Sequence, residues 1–164
     1  MFSGDTVEIE QVLSRLGDTS PRLEALTAGV ARARLHSRPD EDGWSANDVL
    51  AHLRACADVW GDCISVMIAK DKPTLRAVNP RTWIKNTDYP ELGFQPSLRS
   101  FATQRADLLA VLESVPLEGW SRAATVTGAG KVLERTVLFY AEWLARHERP
   151  HLKQIERIVN AVRN

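Results

Sequence analysis

The 164-residue sequence predicts an all-α fold, a four-helix bundle. Two observations carry that reading. Apolar residues recur at steps of three and four along four segments of about 17 to 30 residues, the spacing of one helix face. No strands separate these long segments, so each must bury its stripe against the others. The length suits one domain, taken as residues 1–164.

Composition narrows the class. Hydrophobic residues make up 44% and charged residues 26%, values of an ordinary globular chain and not of a disordered one. No apolar stretch approaches the ~20 residues of a spanning helix, so no membrane partner is expected. Lys plus Arg (21) balance Asp plus Glu (21), which leaves no global basic field for nucleic acid. Residues 1–5, MFSGD, lack a basic region followed by an apolar one, and a cytoplasmic location is expected.

The first helical region opens with Val7, Ile9, Val12, Leu13 and Leu16. Ser20-Pro21 then reads as an N-cap and first helical residue, so a helix is expected to start or restart there. Leu23, Leu26 and Val30 continue its stripe, and His36-Ser37-Arg38-Pro39 ends it. Arg32, Arg34 and Arg38 form a local basic run, but Asp40, Glu41 and Asp42 follow at once, and a solvated helix end is the simpler reading.

The second helix has the clearest start. Ser45 followed by Asp48 fits a capping box, and Trp44 with Val49 a hydrophobic staple. Val49, Leu53, Cys56, Trp60, Cys63 and Met67 mark its inward face as far as Lys72-Pro73. Cys56 and Cys63, seven residues apart on one helix, lie ~10 Å apart and cannot bridge. They read as small core residues.

A long irregular link follows over residues 71–96, with Pro73, Pro80, Pro90 and Pro96 among Trp83, Tyr89 and Phe94. It far exceeds the usual connection of about 4–6 residues and is expected to crawl over the bundle. Pro96-Ser97 opens the third helix, with Leu98, Phe101, Leu108, Leu109 and Leu112 on one side. The segment 123–131, AATVTGAGK, suits a turn or hairpin. The fourth helix is expected from about Leu133 to Val162.

The functional signal is a matter of phase. On the fourth helix Leu133, Val137, Tyr140, Leu144, His147, His151, Ile155, Ile158 and Val162 follow one another at steps of three or four. His147 and His151 therefore stand where the pattern asks for apolar side chains. His52 stands likewise between Val49 and Cys56. Buried imidazoles need partners for both nitrogens, and one divalent ion bound by neutral rings from facing helices would supply them. The alternative is a set of satisfied core histidines. The chain reads HERPH at 147–151, which is not the HExxH zinc motif.

Two segments carry a family resemblance. Residues 43–53, GWSANDVLAHL, and 144–155, LARHERPHLKQI, resemble the second- and fourth-helix signatures of the DinB/YfiT-like superfamily, and Arg105 with Leu108, Leu109 and Leu112 resembles its third helix. The resemblance implies an up-down-down-up four-helix bundle holding a metal, usually zinc or nickel, on His52, His147 and His151. It also implies activities that are mainly thiol-dependent, including S-transferases and an isomerase, with hydrolases beside them. A low-molecular-weight thiol co-substrate, a small-molecule substrate and a homodimer are the expected partners. Pro150 departs from an ideal helix, because it removes the bond to the Arg146 carbonyl between the two histidines.

Three protein ligands would leave coordination positions open for catalysis. Glu142 and Glu148 are the nearest candidate bases. Both are out of phase with the histidines, Glu148 is expected on the surface, and neither is assigned. Arg105, on the inward stripe of its helix, is a candidate for an anionic substrate group or for pairing with a carboxylate. Cys56 is a candidate pocket wall or core residue. The expected function is a metal-dependent transferase or hydrolase. A non-catalytic metal-binding or ligand-sensing bundle and a metal-free interaction module are the alternatives.

Overall fold

The computed structural model describes residues 2–163. In chain order they form α1 (Phe2–Thr27), α2 (Arg32–Leu35), α3 (Ala46–Ala69), β1 (Thr74–Arg76), α4 (Pro80–Trp83), α5 (Phe94–Glu113), β2 (Ala123–Thr127), β3 (Leu133–Thr136) and α6 (Val137–Arg163). The bundle consists of α1, α3, α5 and α6. No helix among the described residues is long and apolar enough to cross a membrane.

Side-chain pairs give the directions. Thr19 meets Glu148, and Arg163 reaches the Ala28 carbonyl, so α1 and α6 run the same way. His52 meets His151 while Trp60 meets Trp143, so α3 runs against α6. Arg54 bonds Ser97 and Asp58 bonds Gln104, so α5 runs with α3. The order is up-down-down-up, as expected.

The expected restart at Ser20-Pro21 is corrected: α1 passes through Pro21 without a break. Leu16, Thr19 and Leu23, on either side of it, are buried in the bundle, and this packing outweighs the cost of an interior proline. The helix ends earlier than expected, at Thr27, where Gly29 takes φ +73°, a backbone conformation natural to glycine. The basic run beyond it serves the bundle. Arg34 bonds the Val162 carbonyl, and Arg38 pairs with Asp48 at 3.0 Å.

The capping box forms on α3. Ser45 Oγ accepts from the Asp48 N–H at 3.0 Å, and Asp48 Oδ2 accepts from the Ser45 N–H at 2.9 Å. Trp44 and Val49 share one apolar cluster, as a staple requires. Both cysteines are free.

The expectation of a bundle without strands between its helices is also corrected. A small sheet forms in the order β1-β2-β3, with β1 parallel to β2 and β2 antiparallel to β3. Leu133 belongs to β3 and not to the fourth helix, which begins at Val137. Thr136 Oγ1 accepts from the Phe139 N–H at 3.0 Å at that start. In the hairpin turn Gly128 and Gly130 take φ +88° and +86°, and a Cβ on Gly128 would press on Arg76.

The link is organised as β1, α4 and two short 3-10 turns. Asp58 on α3 anchors it by accepting from the Tyr89 hydroxyl at 2.5 Å and from Trp83 Nε1 at 3.4 Å. Asn47 Nδ2 donates to the Leu92 carbonyl at 3.1 Å.

Two apolar clusters fill the bundle. One gathers Leu16, Cys56, Leu108 and Leu144, and the other Leu23, Leu53, Phe101 and Leu152. On α1, α5 and α6 the polar residues Thr19, Arg105, His147 and Glu148 fall between the two clusters, and on α3 His52 lies one turn before Cys56, where the first cluster begins. A polar layer therefore crosses the core, and the histidines belong to it.

Candidate metal centre

His52 comes from α3 and His147 and His151 from consecutive turns of α6. Their ring centroids form a near-regular triangle: 5.3 Å for His52–His147, 4.8 Å for His52–His151 and 4.8 Å for His147–His151. One nitrogen from each ring lies within 4.8 Å of the others. His52 is buried and the other two half-buried, so the triangle opens to solvent on the α6 side. α6 continues through Pro150, which keeps both α6 histidines on one face.

The nitrogens suit a shared ion. His52 Nε2 and His147 Nε2 are 3.1 Å apart, and a cation ~2.0–2.1 Å from each would subtend about 98°. The widest nitrogen pair needs to close by something on the order of 1 Å, since two ligands on such an ion are at most about 4.1 Å apart. Burial first, then the charges of His151, His147 and Arg81, lowers His52 to about 4. Burial, then His151 and Arg81, lowers His147 to about 4. Both rings are thus neutral at physiological pH, the form that binds a metal.

His151 is held from behind. Gln154 Oε1 lies 2.8 Å from His151 Nδ1. An amide oxygen only accepts, so Nδ1 carries the proton and Nε2 presents its lone pair. This is the supporting contact that metal-bound histidines usually have.

Aromatic rings wall the triangle. Trp44 lies 5.3 Å from His52 and nearly parallel to His151 at 6.4 Å. Trp60 meets His147 edge-on at 5.0 Å, and Trp143 lies roughly parallel to His147 at 6.4 Å. Arg81 of α4 places its guanidinium 5.5 Å over Trp44. None of these four was singled out for the site from sequence. A signal existed for Trp143, because Phe139, Trp143, His147 and His151 repeat at intervals of four.

Of the remaining candidates, Cys56 lies beside His52, with Sγ 3.4 Å from Nε2. Burial, then Glu148, pushes its thiol up to about 12, so it meets the site as a neutral group. Glu148 is not on the surface as expected: it is 1% exposed and paired with Arg105. The Arg105 guanidinium bonds both Glu148 oxygens and the Leu16 carbonyl, and Thr19 Oγ1 donates to Glu148 at 2.7 Å. Glu142 pairs with Arg146 one turn along the surface of α6.

The sequence matches the family described as the DinB superfamily over residues 15–155. Among solved structures the fold is similar to that of YfiT from Bacillus subtilis, a protein described as a probable metal-dependent hydrolase with an unusual four-helix bundle topology. The TM-score is 0.72 at 15% identity, covering 91% of this chain and 86% of that one. At that identity the likeness carries the fold. A comparison with curated proteins gave no match.

Proposed function

The chain belongs to the DinB superfamily, and from that premise we propose that it is a divalent-metal protein that acts enzymatically on a small molecule, by hydrolysis or by thiol-dependent S-transfer. The observation that carries this reading is the convergence of His52, His147 and His151, with Nε2 of the first two 3.1 Å apart. Without a cation, neutral nitrogens at that distance gain one hydrogen bond at most, and the third ring gains none from them. With one, all three lone pairs are used.

In this reading the three imidazoles hold the ion, zinc or nickel, and Gln154 fixes the tautomer and orientation of His151. Trp44, Trp60 and Trp143 limit water around the site and offer flat apolar walls to a substrate. Arg81 adds a positive charge at the rim. When bound, the ion would lower the pKa of a water or thiol and so supply a nucleophile near neutral pH. Glu148 is not assigned as a base, because Arg105 and Thr19 occupy its carboxylate.

The test is to strip the protein of metal and assay it with an activated ester, with and without a low-molecular-weight thiol, before and after adding zinc or nickel. Turnover that appears with metal and is lost in His147→Ala is expected. Equal rates in stripped, reloaded and His147→Ala protein would overturn the reading.

A further inference from the structure

On the opposite side of α3 from the histidines lies a cavity of about 670 Å³ between α3 and α5, roofed by β1 and α4. None of the three histidines lines it. Gly61, on its wall, is nine residues after His52 and so about 180° around the helix from it. The volume falls within the range of small-molecule sites, about 300–1,000 Å³.

Its walls have two tiers. Ala57, Leu75, Val78, Trp83, Leu108 and Val111 make an apolar lining. Val78, Trp83 and Val111 are 48%, 37% and 38% exposed, large apolar surface left open at the mouth. Asp62 and Asp107 face the space from α3 and α5. Both are exposed, and neither joins an ion pair among the described residues. The third carboxylate on the wall, Asp58, is taken up by Tyr89, Trp83 and Gln104. Arg76 also reaches the wall, with its stem against Gly128.

A further observation indicates that the space is kept for an occupant. Gly61 stands within α3, where glycine is unfavourable relative to alanine. A Cβ built on it would meet nothing within 4 Å, so no packing constraint within the chain accounts for a residue that leaves the cavity open.

We propose that this cavity is a second binding site, separate from the histidine triangle, for a small amphipathic organic cation: an amine on an apolar body. The apolar body lies against Leu75, Trp83 and Leu108. The ammonium group meets Asp62 and Asp107. Aromatic and apolar walls supply affinity, and the carboxylates select the sign of charge.

The probe is 2-(1-naphthyl)ethylamine, with 2-(1-naphthyl)ethanol and 1-naphthylacetate as its neutral and anionic counterparts. Each is titrated calorimetrically into the intact protein. The amine is expected to bind saturably, one per chain. Gly61→Phe should fill the space and weaken the amine by about tenfold or more, while metal content stays at the wild-type level. The double variant Asp62→Asn, Asp107→Asn should weaken the amine several-fold and leave the alcohol unchanged. Failure of the amine to saturate, wild-type affinity in Gly61→Phe, or an anion bound as tightly as the amine would each overturn the proposal. Should Gly61→Phe not fold, the Asp62→Asn, Asp107→Asn variant decides: a weakened amine with an unchanged alcohol supports the site, and an unchanged amine affinity contradicts it.

Discussion

Arg105 and Glu148 form a two-pronged ion pair inside the bundle, 3% and 1% exposed, and Glu148 directly follows the candidate ligand His147. The pair joins α5 to α6, and Thr19 and the Leu16 carbonyl extend it to α1. The helix that carries two of the histidines is therefore held from behind by a charged contact that neither partner can leave cheaply.

Breaking such a pair strands a buried charge. Glu148→Ala and Arg105→Ala are each expected to lower stability by about 3–5 kcal/mol. Arg105→Met combined with Glu148→Leu should cost far less than the sum of the two single changes, because no charge is left unpaired. Denaturant unfolding of the four proteins checks this, and additive losses would contradict it.

The capping box on α3 sets where the His52 helix begins. Ser45→Ala removes the acceptor for the Asp48 N–H and is expected to cost about 1 kcal/mol, within a range of roughly 0.5–2. Thermal unfolding measures it, and an unchanged midpoint would show that the cap carries no net stability.

Gln154 acts on the site only through His151. Gln154→Leu is expected to weaken metal binding by about 10–100-fold while leaving the metal-free protein close to wild-type stability. Competition with a chromophoric chelator reads the affinity. A loss of stability with unchanged affinity would assign Gln154 to packing.

The acid limb of stability follows from the two lowered histidines. His52 and His147 titrate at about 4 in the folded protein, against 6.5 in an open chain. Between those values the unfolded chain holds more protons than the folded one, so stability rises with pH across the window. Metal-free protein should be most stable above 6.5, lose stability as pH falls from 6.5 toward 4, and lose no more from these groups below that. His147→Ala should flatten the slope. A wild-type midpoint that does not change from about pH 7 to about pH 4.5 would contradict the neutral, buried state of these rings.

The sequence made the helices and the histidine phase legible because both are local and periodic. His52, His147 and His151 each replace an apolar residue in a stripe, and Ser45 with Asp48 announces a cap within four residues. Pro21 misled, because a local break signal was outweighed by packing along α1 that only the assembled bundle supplies. β1 has three residues, Thr74 to Arg76, too few for any periodicity, and it is specified by its pairing with β2. Glu148 was a different failure. Ala141, Ala145, Glu148, Leu152, Ile155, Val159 and Val162 form a second stripe at alternating steps of four and three, and all seven are buried. α6 packs on α1 as well as on α3, so it buries two stripes, and the histidines mark only one of them.

The central claim is that three histidines from two helices bind one ion. The direct measurement is elemental analysis of protein purified without a polyhistidine tag, together with His52→Ala and His147→Ala. Close to one equivalent of zinc or nickel per chain is expected in the wild type, lost in both variants while their helical content is kept. Less than about half an equivalent of any transition metal after reloading, or full occupancy in either variant, would contradict the account.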